Sequence, residues 1–406
     1  MALEGRELVL GVTGSIAAYK AAYLVRELRR LGAGVTVCLS AHAQRFVGPL
    51  TFRTLSGRPV LTDLFDPRAT EAVEHVALAE RADAIVVAPA TADLLAKAAH
   101  GVADDALTTL LLAARGPVLL APAMDGGMWQ HPAVVANVRL LRERGVTVLE
   151  PDTGELASGL VGPGRLPEVE AIIEALLARL GPQDLAGEHV LVTAGPTREP
   201  IDPVRFLSNR SSGKMGYALA RAALRRGARV TLVSGPTALA PPPGARVVPV
   251  QTAEEMREAV LQHVDAATVV IKAAAVADYQ ARTVAPRKLK GKAELTLALV
   301  PTPDILGELA ARRPRPFLVG FAAETDDVVA HARAKLQAKG VDVLVVNDVS
   351  RAGVGFEADD NQVLILDRWG GERALPRMPK SALADEILSH VLAIRAAAPD
   401  ATRVGR

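Results

Sequence analysis

Four short apolar runs punctuate the first 122 residues: "LVLGV" (8–12), "VTVCLS" (35–40), "AIVVAP" (84–89) and "PVLLAP" (117–122), with segments of helical period between them. A strand buried on one face alternates apolar and polar residues, whereas a nearly continuous apolar run implies burial on both faces. Parallel sheets flanked by helices satisfy that condition. The pattern therefore predicts a doubly wound α/β domain. A second set, "HVLVTAG", "RVTLVSG", "TVVIKAA", "PFLVGFAAE", "DVLVVNDVS" and "QVLILD", begins after "GPQDLAG" (181–187), and most of its members also alternate with helices. Two α/β domains are expected, over residues 1–182 and 188–400.

The 406 residues suit two domains, and at 50% apolar composition both can bury a core. A net charge of +2 without a long Lys/Arg block points to small anions as partners and away from nucleic acid. Cys38 is the only cysteine, which excludes an internal disulfide and a cysteine-cluster metal site. No signal-peptide pattern is read, and no apolar run reaches the ~18 residues that span a bilayer, so a soluble cytoplasmic chain without a membrane partner is expected.

In such sheets ligands bind beyond the carboxyl ends of the strands. In "GVTGSIAAYK" (11–20), Gly11 and Gly14 allow a sharp turn and Ser15 can cap a helix whose free N–H groups would hold a phosphate. His75 lies in a helical stretch just before the strand at 84–89. "PATAD" (89–93) closes that strand, "PAMDGGMW" (122–129) follows the next one, and "LASGLVGPGR" (156–165) reads as a glycine-rich flap. In the second half, "SNRSSGKMG" (208–216) clusters hydroxyl, amide, ammonium and backbone N–H donors at a helix start. This is an anion cradle without P-loop spacing.

Taken in this order, the first-half motifs resemble the flavin-dependent cysteine decarboxylases. "TAGPTREPIDPVRFLSNRSSGKMG" (193–216), "AAVADY" (274–279) and "VAPRKLK" (284–290) resemble the phosphopantothenate-cysteine ligases fused to them in bifunctional coenzyme A biosynthesis proteins. The resemblance covers nearly the whole chain. It implies a flavodoxin-like N-terminal domain and a Rossmann-like ligase domain. The implied ligase attacks the α-phosphate of CTP with the phosphopantothenate carboxylate, Mg²⁺ assisting, and the cysteine amine then displaces CMP. The implied decarboxylase uses FMN to oxidise the cysteine thiol, which eases carbon dioxide loss, and the enethiol is then reprotonated and reduced.

The resemblance also assigns residues. Gly14, Ser15, Ser40, Pro89, Ala90 and Thr91 would bind FMN, His75 would be the base, and Asp125 and Met128 would contact substrate. Asn209 would donate to the mixed anhydride and Lys288 would neutralise the reacting phosphate. Lys272, Ala273, Ala274, Asp278, Pro303, Asp304, Ile305, Leu306, Phe321, Lys335 and Lys339 would surround the nucleotide, with Asp278 available to Mg²⁺. Family active sites form between protomers, so a trimer-based or dodecameric homo-oligomer is implied. Three positions depart from the family: Asp125 replaces Asn, Ser158 replaces the proton-donating Cys, and Leu160 replaces an acidic residue. Asp125 is expected to protonate beside the substrate carboxylate, since a neighbouring anion raises a carboxyl pKa. A second reading keeps the ligase and makes the N-terminal domain a flavin-binding or oligomerising scaffold.

Overall fold

The computed structural model describes residues 2–65, 74–290, 294–324, 328–348 and 358–397. The chain divides into two compact units, Met1–Pro182 and Gln183–Arg406.

The first unit is built on β1 (Glu7–Val12), β2 (Gly34–Leu39), β3 (Val60–Leu61), β4 (Ala84–Ala90), β5 (Val118–Pro122) and β6 (Thr147–Val148). The sheet order is β3-β2-β1-β4-β5-β6 and every pairing is parallel. Successive side chains of β1 enter different cores. Leu8, Leu10 and Val12 pack with Leu24, Val25 and Leu28 on one face, while Val9 packs with Leu94, Leu107 and Leu110 on the other. This two-sided burial is why the strands read as unbroken apolar runs.

The helix Lys20–Arg30 buries Ala21, Leu24, Val25 and Leu28, one face at 3.6-residue spacing. Arg29 and Arg30 close it, at the end where the helix dipole favours cations. Burying each of its leucines stabilises the fold by about 1.5–3 kcal/mol. Strand order reverses between β1 and β4, which opens a crevice at their carboxyl ends. A hairpin, β7 (Asp152–Glu155) with β8 (Val161–Arg165), carries the glycine-rich flap.

The second unit contains β9 (His189–Ala194), the hairpin β10 (Arg198–Pro200) with β11 (Phe206–Ser208), then β12 (Arg229–Ser234), β13 (Arg246–Pro249) and β14 (Val269–Lys272). Next come the antiparallel pair β15 (Tyr279–Ala281) and β16 (Leu299–Pro301), then β17 (Phe317–Glu324), β18 (Val343–Asp348), β19 (Asp360–Asp367) and β20 (Glu372–Pro379). The main sheet runs β13-β12-β9-β14-β17-β18-β19-β20, parallel as far as β18 and antiparallel beyond it. Asp342, with its side chain fully buried, pins three strand ends: its carboxylate accepts from Leu318 N at 2.8 Å and from Arg315 Nη2 at 2.7 Å, and it pairs with Arg368 at 3.3 Å. No helix among the described residues is long and apolar enough to cross a membrane.

Candidate active sites

In the first unit the loops after β1, β2 and β4 meet at the crevice. Thr13 Oγ1 donates to Pro89 O at 2.7 Å and accepts from Thr91 N at 3.0 Å, joining the ends of β1 and β4. A Cβ on Gly14 would lie 2.4 Å from His42 Cβ, so only glycine lets the β1 and β2 loops approach this closely. Ser15 caps the short helix Ile16–Tyr19, with Oγ accepting from Ala17 N at 3.3 Å. Ser40 Oγ accepts from Ala43 N at 3.2 Å. Each hydroxyl accepts in these contacts and so keeps its own proton to donate, and the two lie on the loops after the neighbouring strands β1 and β2. Thr91 caps the helix Ala92–His100, while Pro89 and Ala90 are buried within β4.

Asp125 sits on the loop after β5 and caps the four-residue helix Gly126–Trp129, its Oδ1 accepting from Gly127 N at 3.0 Å. The flap hairpin packs directly on this turn. Met124 N donates to Gly164 O at 2.9 Å, and a Cβ on Gly164 would lie 2.2 Å from Met124 O. The result is a contact between two of the positions that depart from the family: Ser158 Oγ donates to Asp125 Oδ2 at 2.6 Å.

The expected protonation of Asp125 belongs to the substrate-bound state; without substrate its carboxyl has a different environment. The Ser158 hydroxyl and the Gly127 N–H hold its carboxyl below the usual carboxylate range, because both donate to the charged form. The Ser158 proton is correspondingly engaged with Asp125. Met128 is half exposed on the same turn. His75 occupies the second position of the helix Glu74–Arg81, partly buried, and no hydrogen bond among the described residues ties it to this group.

In the second unit a cleft of about 370 Å³ opens along the carboxyl ends of the parallel strands. Its lining gathers Asn209, Lys272, Ala273, Ala274, Asp278, Pro303, Asp304, Ile305, Leu306, Phe321, Lys335 and Lys339, so twelve of the thirteen residues expected around the ligase chemistry share one cavity. Asp304 caps the helix Ile305–Ala311 by accepting from Gly307 N at 3.1 Å, and it pairs with Lys339 at 2.6 Å. Burial of Asp304 opposes its ionisation, but Lys339 and the Gly307 N–H outweigh it and hold the carboxyl low.

Burial of the Lys272 ammonium lowers its pKa to about 8; Asp304 opposes the shift, and Lys339 adds to it. The residue as a whole keeps some exposed surface, so it is the crowding around its amine end that matters. Among the described residues no group of three or more His, Cys, Asp or Glu could hold a metal. A Mg²⁺ here would need nucleotide phosphates beside one carboxylate, the usual pattern for that ion.

The two residues expected to act on the reacting groups occupy different places in this unit. Asn209 is exposed on the cleft lining, and its Nδ2 donates to Val276 O at 3.0 Å and Ala275 O at 3.4 Å in the loop after β14. Lys288 is exposed and does not line the cleft. It belongs to an arm fastened by Leu289 N donating to Asp202 Oδ2 at 3.1 Å. Asp202 itself is buried; that burial opposes its charge, but the N–H groups of Val204, Arg205 and Leu289 hold its carboxyl low.

Sequence reading missed Asn347, Asn361, Thr302 and Lys380, which also line the cleft. The available signal was a polar residue closing a buried strand, as Asn347 does in "LVVND".

Two doubly wound α/β units, one with a hydroxyl-lined crevice and one with a lysine-rich cleft, define a two-domain flavoprotein-type enzyme. Residues 2–181 match the flavoprotein family, and residues 185–394 match the DNA/pantothenate metabolism flavoprotein C-terminal domain. The chain is 49% identical over 397 residues to the coenzyme A biosynthesis bifunctional protein CoaBC of Bacillus subtilis, covering 97% of this chain and 98% of that protein. It is 45% identical over 399 residues to the Escherichia coli K12 protein of the same name, covering 97% and 98%. A crystal structure of the C-terminal domain of a CoaBC protein aligns at 42% identity, covering 53% of this chain and all of that one, with a TM-score of 0.46. The chain belongs to the family of coenzyme A biosynthesis bifunctional proteins, enzymes that unite a ligase and a decarboxylase.

Proposed function

We propose that the second unit ligates 4'-phosphopantothenate to cysteine using CTP and Mg²⁺, and that the first unit decarboxylates the resulting 4'-phosphopantothenoylcysteine to 4'-phosphopantetheine with FMN. The observation that carries the ligase reading is the single cleft that collects the expected nucleotide residues from separate strand ends. The phosphopantothenate carboxylate attacks the α-phosphorus of CTP and pyrophosphate leaves. The cysteine amine then attacks the acyl carbon and CMP leaves. Lys272, Lys335 and Lys339 supply positive charge to the phosphates, Pro303 to Leu306 with Phe321 bracket the cytidine, and Asp278 assists Mg²⁺. Cations fixed near developing phosphate charge are the main source of acceleration in such transfers. Lys288 joins this group only if its arm moves over the nucleotide.

In the first unit the hydroxyls of Ser15 and Ser40 with the helix start after Ser15 suit the FMN phosphate, and their unused protons make the donor set fit. When bound, FMN supplies a two-electron oxidant for the thiol and returns those electrons at the end of a redox-neutral cycle. Thr13 holds the two loops together beneath it, and His75 serves as base. Ionised Asp125 faces the substrate carboxylate, with Ser158 as its hydrogen-bond partner. The same reading puts the chain in the cytoplasm as a homo-oligomer. The scaffold alternative is not favoured, because relatedness runs through both halves to bifunctional enzymes.

The deciding experiment incubates the purified chain with CTP, Mg²⁺, phosphopantothenate and cysteine, following CMP and carbon dioxide together. The protein should also purify yellow or take up FMN stoichiometrically. CMP release without carbon dioxide would reject the decarboxylase half, and a lack of CMP release would reject the ligase half.

A further inference from the structure

One wall of the second-unit cleft is not used by the nucleotide reading above. Asn347 is the last residue but one of β18, Asn361 lies at the start of β19, and Lys380 directly follows β20. The register brings them to one sheet edge: Asn347 pairs with Val363, a bulge lies between Asn361 and Val363, Asn361 pairs with Met378, and Asp360 pairs with Pro379, next to Lys380. All three line the cleft and all three are buried.

Asn347 is 7% exposed, and its Oδ1 is buried without a hydrogen-bond partner among the described residues. A buried acceptor of this kind favours a ligand that brings a donor. On the same cleft lining, Lys380 is 5% exposed and donates to Ala358 O. Lys214 opens the twelve-residue helix Lys214–Arg225 on the same cleft and pairs with Asp359 at 2.6 Å. Burial, with Lys214 nearby, holds the Lys380 ammonium below its usual range, a condition that an incoming anion relieves.

An orphaned acceptor and a buried cation lining one cleft fit a zwitterion better than a phosphate. An ionised phosphate has no proton to give the Asn347 oxygen, whereas an α-ammonium has three and carries its own carboxylate for the lysine. We propose that Asn347 and Lys380 form the amino-acid subsite of the ligase, in which Asn347 Oδ1 accepts from the α-amine of cysteine and Lys380 binds its α-carboxylate. This rests on the ligase reading above and assigns a place to its second substrate. After the amine loses a proton to solvent, an N–H remains to hold it on Asn347 Oδ1 while its lone pair is free to attack the acyl carbon.

The two half-reactions separate the outcomes in the full-length protein. Pyrophosphate release from CTP and phosphopantothenate needs no cysteine, while CMP release requires it. Asn347→Leu and Lys380→Met should each raise the KM for L-cysteine at least tenfold and leave cysteine-independent pyrophosphate release within twofold of wild type, which also shows that the variants fold. An unchanged cysteine KM in both variants, with wild-type ligation intact, overturns this proposal alone. A matching loss in pyrophosphate release would assign the wall to the nucleotide or phosphopantothenate and overturn it as well. A wild-type protein that releases no pyrophosphate would instead reject the ligase reading.

Discussion

Lys272 gives the ligase cleft a measurable pH signature. Its ammonium sits at the end of β14 with a pKa lowered to about 8, chiefly by burial. Bound CTP would place negative charge beside it, which favours the protonated form and raises the pKa. Recovery from about 8 to the ordinary 10.5 corresponds to roughly 3 kcal/mol at 1.36 kcal/mol per pH unit. The sign follows from linkage: below pH 8 the lysine is already charged and binding takes up few protons, whereas above pH 8 each CTP bound must protonate it. Affinity for CTP with Mg²⁺ should therefore weaken by up to about tenfold per pH unit above 8. Calorimetry in two buffers of different ionisation enthalpy should report uptake of about half a proton per site at pH 8 and about nine-tenths at pH 9. Lys272→Met should bind more weakly at pH 7 and lose the dependence. Binding without proton uptake at pH 9, or an unchanged pH profile in Lys272→Met, would refute the argument.

Three further outcomes follow from other contacts. Gly14→Ala must push His42 aside, an overpacking that typically costs about 1–3 kcal/mol, and the variant should purify with less FMN by visible absorbance; full FMN occupancy would show that the approach of the two loops does not shape the pocket. Because Asp125 is held ionised, its carboxylate–Ser158 hydrogen bond is present above the usual carboxyl pKa and lost only as pH falls through the lowered folded value. Asp125→Asn should thus lower the KM for phosphopantothenoylcysteine by the same factor at pH 6 and pH 8, and a benefit that grows with pH would mean that Asp125 still titrates in that range. Removing the buried partner of Arg315 and Arg368 in Asp342→Ala should destabilise the second unit by about 3–5 kcal/mol, read as a thermal transition roughly 10 °C lower; a drop of only a degree or two would show that the arginines find other partners.

The fold was largely legible from local pattern. Continuous apolar runs such as those of β1 and β4 can be satisfied only by two-sided burial, and Leu8, Leu10 and Val12 do enter one core while Val9 enters the other. Motif order also carried the family, and strand-end residues such as Gly14 and Ser15 could be picked out because parallel sheets bind ligands at that end. Tertiary structure decided what those residues are free to do. Asp125 and Ser158 are thirty-three positions apart, and nothing local shows that the flap lays one hydroxyl on the other's carboxylate and so fixes its charge. Asn209 reads as a polar cleft residue, and only the folded chain shows its amide donating to the loop after β14. Lys272 reads as an ordinary charged strand end, yet its pKa is set by burial and by Asp304, Lys339 and Lys335 arriving from two other elements. The physical reason is common to all three. Backbone periodicity is a short-range property of the sequence, whereas desolvation, hydrogen-bond satisfaction and charge depend on neighbours that meet only when the sheet closes.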